Sequence, residues 1–312
     1  MTDLFKRLFA SRARTAAAKM ALWLFAVLII SLALFRSLWA ELPGVLSLSY
    51  VLDFNVSPWA ILLLCLLFLV LKRHQVALDS SFKLGRIESR ISPIGLNLVL
   101  AALIIVGAAF IPDNKDLVVL RLLLVGLGAF VLVFGPGGRI PAILVAVYAF
   151  AMLFPAFVDH FLPDFYAGTA GLPSHGFMTL VGLPIQYLDQ NFSFSSVGGE
   201  PITVLVTTAC AGPFTMSIFI SIFALMMLDR PLPLRHALAF FLFGVLGTWL
   251  QNVIRLVILV AAGYELGSRA LWDAHYWSVY ILFPLWYLLF AYLYLRQSSR
   301  IARKADTPAS VS

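Results

Sequence analysis

Successive runs of apolar residues, most about twenty long, constrain this chain more than any other feature, because a segment of that length and character is what crosses the hydrocarbon core of a bilayer. The runs fall at roughly 20–40, 57–71, 92–111, 117–134, 140–161, 204–228, 236–263 and 275–296. Backbone groups in lipid must hydrogen-bond within their own segment, so each run is expected to be helical even where Val, Ile and Phe dominate. Composition agrees: 62% of the 312 residues are hydrophobic and 12% charged, too few polar groups to cover a water-soluble globule. The expected fold class is an all-α integral membrane protein, a bundle of about eight transmembrane helices forming one polytopic domain over residues 1–312. Membrane lipids are its constant partner. The polar tail from 300 to 312 reads as disordered.

The net charge of +7 does not imply nucleic acid, because Lys and Arg lie in short clusters between apolar runs rather than along one face. Their distribution instead orients the chain, since cytoplasmic loops carry the basic excess. With both termini inside, seventeen Lys and Arg are cytoplasmic, Lys115 and Arg269 are outside, and Arg36, Arg121 and Arg255 fall within spans. The basic stretch Met1 to Lys19 before the first apolar run reads as an uncleaved signal anchor. With only Cys65 and Cys210 present, and Cys65 inside an apolar run, a disulfide framework is not expected.

The longest outer segment, Leu162 to about Thr203, holds a short apolar stretch from Phe177 to Tyr187, interrupted by Gly182 and Pro184. It is expected to form an interfacial or re-entrant helix. Alternation of apolar and polar residues from Phe192 to Val204, around Gly198-Gly199, predicts a small extracytoplasmic hairpin.

Three residues in the last three spans could carry chemistry. Cys210 lies in Thr207-Thr-Ala-Cys-Ala-Gly-Pro213, ~9 Å from the outer boundary of the sixth span if that span is one helix. A membrane cysteine is commonly a small packing residue, and Cys65 among leucines fits that role. Thr207 and Thr208 above Cys210 favour a polar pocket instead. Arg255 costs roughly 2.5–3.5 kcal/mol within a span and so needs a cavity or a partner. It shares one helical face with Thr248 and Asn252. His275, at the outer start of the last span, is either a solvated cap or a functional imidazole. Of the other histidines, His74 and His236 fall inside and His160 and His175 outside.

Together these groups suit acyl transfer. A thiol is mostly protonated at neutral pH and needs a neighbouring imidazole to release its proton. A guanidinium stabilises the resulting oxyanion or holds the substrate carbonyl, and the imidazole then protonates the leaving amine.

On these residues the chain resembles the exosortase/archaeosortase family, multi-pass enzymes with Cys, Arg and His on successive late spans. Cys210-Ala-Gly212 resembles the family's Cys-Ser/Thr-Gly, and Asn252-Val-Ile-Arg255-Leu its Asn-x-x-Arg-Ile/Val. His275 resembles its downstream histidine. The stretch Leu180 to Pro184, the hairpin and Val204 to Cys210 match its run-in, so the resemblance covers about 176–290. Ala211, Pro213 and the aromatic residues after His275 depart from the pattern.

The resemblance implies a membrane cysteine protease or transpeptidase working at the outer face of the cell membrane. Cys210 would be its nucleophile, Arg255 the oxyanion or substrate stabiliser and His275 the general base and acid, supported by Asn252 and Gly212. Its partners would be exported proteins with a tripartite carboxy-terminal sorting tail of the PEP-CTERM or PGF-CTERM type, and a lipid or other amine acceptor. No cofactor, metal or nucleic acid is implied. Other membrane classes remain open. An acyl- or glycosyltransferase of envelope assembly could use Asp159, Asp164 or Asp273, and a noncatalytic transport or assembly protein would need none of these groups.

Overall fold

The structure is a computed structural model that describes residues 2–47, 59–72, 93–112, 117–134 and 139–306. The segment between the second and third expected spans therefore lies outside the described residues from 73 to 92, as does Lys115; of the tail expected to be disordered from 300, positions 300–306 are helical and the rest, from 307, lies outside the described residues. The described residues are mostly helical and divide into two compact units, Met1–Met152 and Leu153–Ser312.

The first unit holds α1 (Thr2–Leu34), α2 (Arg36–Val45), α3 (Trp59–Leu71), α4 (Pro93–Ala109), α5 (Val118–Phe134) and the first half of α6 (Arg139–Phe161). The run 20–40 is not one straight helix. It breaks at Phe35, and Ala18–Leu34 and Arg36–Val45 meet at 107°. Phe35 and Leu38 are buried at the bend, whereas Arg36 is exposed. Arg121, buried on α5, donates to Ser37 Oγ at 3.4 Å and to the carbonyl of Ile111, which satisfies a charge the sequence places within a span. Trp23 Nε1 donates to the Gly126 carbonyl at 2.9 Å, tying α1 to α5. Cys65 is buried with its thiol 3.8 Å from the Leu144 carbonyl, as expected of a packing residue.

The second unit runs from the end of α6 through α7 (Pro163–Leu180), β1 (Gln186–Leu188), β2 (Asn191–Ser195), β3 (Pro201–Leu205), α8 (Thr208–Ala211), α9 (Pro213–Asp229) and α10 (Leu234–Leu266) to α11 (Ser268–Asp306). Here the segment expected to lie outside is more ordered than expected. The helix expected over Phe177–Tyr187 does not form as such: α7 runs from Pro163 and ends at Leu180, and Gln186–Leu188 is strand; α7 has proline at its first turn, where a missing N–H costs nothing. Small residues Ala167, Ala170, Gly171 and Ser174 line its buried stripe. They allow close approach to α10, where Ser174 Oγ reaches the Val253 carbonyl at 3.4 Å and Trp249 Nε1 donates to the Thr169 carbonyl at 2.9 Å.

Beyond Gly182 the chain forms an antiparallel sheet of order β1-β2-β3. The expected hairpin is β2–β3, in which Phe192 faces Val204 and Phe194 faces Ile202. Phe192, Phe194 and Ile202 are buried with Val206, Ala211, Leu256 and Val260 in one core, so the period-two alternation does point one face inward. The hairpin β1–β2 was not expected. Its turn uses Asp189 and Gln190 at φ 48° and 64°, the paired positive values that a two-residue hairpin turn requires, without any glycine.

Among the described residues, three helices are long and apolar enough to cross a membrane, within Ile140–Phe161, Leu234–Leu266 and Ser268–Arg303, and the bent pair α1–α2 makes a fourth candidate. Four shorter apolar helices accompany them, Trp59–Leu71, Asn97–Ala109, Val118–Phe134 and Pro213–Asp229. The sixth expected span differs most. Residues 204–205 belong to β3, one turn of helix carries 208–211, and the long helix begins only at Pro213. Gly212 makes this break with φ 81°, a left-handed conformation open to glycine at little cost.

Candidate functional site

Cys210 sits in the single turn of α8, delivered by β3 from one side and cut off from α9 by Gly212 on the other. The break follows from local chemistry. A Cβ at position 212 would lie 2.8 Å from Thr215 Oγ1 and 2.9 Å from Asn252 Oδ1, and the positive φ excludes most side chains as well. The turn is pinned at two further points. Asn252 Nδ2 on α10 donates to the Cys210 carbonyl at 2.8 Å, and Thr208 Oγ1 donates to Asp159 at the end of α6. Cys210 itself is half-buried. Its sulfur accepts from Thr207 Oγ1 at 3.5 Å and lies 4.0 Å from the Leu205 carbonyl.

One turn along α10 from Asn252 lies Arg255, 5% exposed. Burial of a guanidinium at this level demands fixed partners, and two come from α11. Nε donates to Ser278 Oγ at 3.2 Å, and Nη2 lies 3.3 Å from His275 Nδ1. Ser278 in turn donates to the His275 carbonyl at 3.2 Å. Cys210 is within electrostatic reach of the same guanidinium. Arg255 thus touches His275 directly and is linked to the Cys210 turn through Asn252, one helical turn away on α10, while no hydrogen bond joins His275 to Cys210 among the described residues.

Because arginine is a donor only, the Arg255 contact requires His275 Nδ1 to accept, and the neutral ring then carries its proton on Nε2. The ring is half-buried and packs edge-on against Trp272, with centroids 5.6 Å apart. The stripe read on α10 continues at Thr248, whose Oγ1 accepts from Trp286 Nε1 at 3.0 Å; Thr248 therefore holds α11 against α10 rather than meeting the thiol.

The two other histidines expected outside are occupied elsewhere. His175 Nε2 lies 3.1 Å from the Ile185 carbonyl and its ring stacks on Tyr187, while His160 is exposed at the end of α6 against Phe161. Asp164 accepts from Gln190 Nε2 at 3.0 Å. Sequence reasoning missed Ser278 and the Asp159–Thr208 bond. For Ser278 the only available signal was a hydroxyl three residues after His275, on the same helical face.

Comparison with known families adds one match. The family described as transmembrane exosortase matches residues 52–292, most of the chain and all of the group around Arg255. No curated protein and no solved structure matches.

Proposed function

The chain belongs to the transmembrane exosortase family, and from that premise we propose that Cys210, Arg255 and His275 form the catalytic set of a sorting transpeptidase. Membership carries the general activity, a multi-pass membrane enzyme that processes exported proteins with carboxy-terminal sorting signals. The observation supporting these particular residues is the buried Arg255. Its guanidinium is held by Ser278 and His275, one helical turn from an asparagine bonded to the Cys210 carbonyl.

In the proposed reaction the substrate carbonyl oxygen takes the Arg255 Nη2 donor, which releases His275 Nδ1. That nitrogen accepts the Cys210 proton as sulfur attacks the carbonyl carbon. Arg255 stabilises the oxyanion, held in place through Nε by Ser278. Collapse breaks the peptide C–N bond, the imidazolium gives its proton to the leaving amine, and a thioester to Cys210 remains. An acceptor amine, such as a lipid headgroup, then attacks the thioester and loses its proton through His275 to the departing thiolate. The substrate tail is of the PEP-CTERM or PGF-CTERM type, a short motif followed by one transmembrane helix and a basic cluster.

Each single substitution of the three should abolish processing of a tagged sorting-tail substrate, with losses that do not add. Cys210→Ser should be nearly as inactive as Cys210→Ala. Arg255→Lys should fail because lysine lacks the planar fork whose separate nitrogens reach Ser278 and the substrate, whereas partial activity would mean that the charge alone is required. His160→Ala and His175→Ala should keep most activity. Normal cleavage by well-assembled Cys210→Ala would sink the assignment.

The topology proposed with this site has eight crossings, the bent pair counting as one, with 176–290 as the catalytic core, its active site facing outward, and both termini inside. It rests on the Lys and Arg distribution. In a cysteine-free background, Ser195→Cys should react with an impermeant thiol reagent from outside and Ser298→Cys should not; the reverse labelling would overturn it.

A further inference from the structure

At the end of α11 remote from His275, a groove of about 360 Å³ opens between α10 and α11. Ala239, Phe240, Phe243 and Leu293 make an apolar floor, with Arg296 and Arg300 at its edge. The two arginines lie one turn apart on the same helical face, both exposed, and neither pairs with a carboxylate among the described residues.

Depth identifies what meets this groove. α11 rises about 1.5 Å per residue, so Arg296 stands about 30 Å along it from His275, the thickness of a hydrocarbon core. Exposed Trp272, Tyr276 and Trp277 mark the interface at the His275 end, as amphipathic aromatics do at headgroup level. Arg296 and Arg300 therefore stand at the headgroup level of the opposite leaflet, and the floor formed by Phe240, Phe243 and Leu293 faces acyl chains. A free anion would use the arginines but leave that floor uncovered. A zwitterionic lipid would cover the floor but bring no net charge to the arginines.

We propose that this groove is a binding site for an anionic phospholipid, with its phosphate held by Arg296 and Arg300 and an acyl chain laid on Ala239, Phe240, Phe243 and Leu293. Guanidiniums suit a phosphate because their parallel donors match its oxygens. The site goes beyond the catalytic reading and does not depend on it, since it lies at the other end of the helix pair and its occupancy is read as binding.

The test is native mass spectrometry of the full chain in neutral detergent, titrated with phosphatidylglycerol, phosphatidylcholine or inorganic phosphate. Phosphatidylglycerol should bind at least tenfold tighter than phosphatidylcholine, and inorganic phosphate at matched concentration should not displace it. Arg296→Gln/Arg300→Gln should weaken phosphatidylglycerol binding about tenfold, whereas the charge-matched Lys19→Gln/Arg269→Gln should not. Ala239→Phe, which fills the floor without changing charge, should also weaken it, and it decides the matter if the double arginine variant does not assemble. Equal binding of the two lipids, displacement by phosphate, equal losses in both double variants, or unchanged binding in Ala239→Phe would each overturn the proposal.

Discussion

Arg255 carries a charge that burial penalises unless its donors find fixed acceptors, and each contact it makes also orders a group that acyl transfer needs. Nε on Ser278 fixes the plane of the guanidinium, and Nη2 on His275 Nδ1 fixes the tautomer of the imidazole. Ser278 is thus a positioning residue in the proposed reaction. Removing its hydroxyl leaves a charged donor unpaired, a loss of about 1.5–3 kcal/mol for a hydrogen bond to a charged group. Ser278→Ala should therefore lower kcat by roughly ten- to a hundredfold with little change in KM, and Ser278→Thr should restore most of it. Equal losses in both variants, matched by equal falls in thermal stability, would make Ser278 a packing residue only. Arg255 was legible in the sequence because a charge in an apolar run is costly wherever it points. Ser278 was not, because its partner depends on how α10 and α11 are rotated against each other, which neither helix encodes alone.

The elements that carry the proposed set are tied together, where α10 ends and α11 begins, by the β2–β3 hairpin. Val197 N donates to the Tyr264 carbonyl near the end of α10 at 2.8 Å, and Glu200 Oε2 accepts from the Ser268 N–H that opens α11 at 3.1 Å. The turn between the helices passes through Gly267 at φ 86°, where a Cβ would come within 2.8 Å of the Glu200 carboxylate. The Ser268 side chain, with its backbone N–H second, holds the Glu200 carboxyl below its ordinary range. A lowered folded pKa means that the contribution to stability is complete above the unfolded value and is lost as pH falls through the folded one. The difference in thermal midpoint between the native protein and Glu200→Gln should accordingly shrink as pH is taken from 6 to 3.5. A difference that stays constant over that window would assign the effect to shape rather than charge. The hairpin was legible from its alternation and its Gly-Gly turn, whereas the β1–β2 turn was not, since Asp189 and Gln190 adopt positive φ without glycine. The helix expected over 204–228 failed for a related reason. Hydropathy marks how far an apolar run extends but not where its backbone breaks, and the break was signalled only by Gly212-Pro213.

At the scale of the whole molecule, the length of the apolar runs and the composition identified the class, because lipid leaves so few solutions for a backbone that must satisfy its own hydrogen bonds. Geometry within the second unit was less accessible. Cys210 precedes Arg255 and His275 by whole helices in the sequence, and their approach depends on β3, the Gly212 break and the Asn252 bond acting together. The central claim of the account is that Cys210 becomes acylated by the substrate. The most direct measurement is the intact mass of the purified enzyme, quenched in acid during turnover of a sorting-tail substrate. An adduct of the processed substrate on Cys210, released by hydroxylamine and missing from Cys210→Ala, is expected. Processing that proceeds with no such adduct at any quench time, and continues in Cys210→Ala, would contradict it.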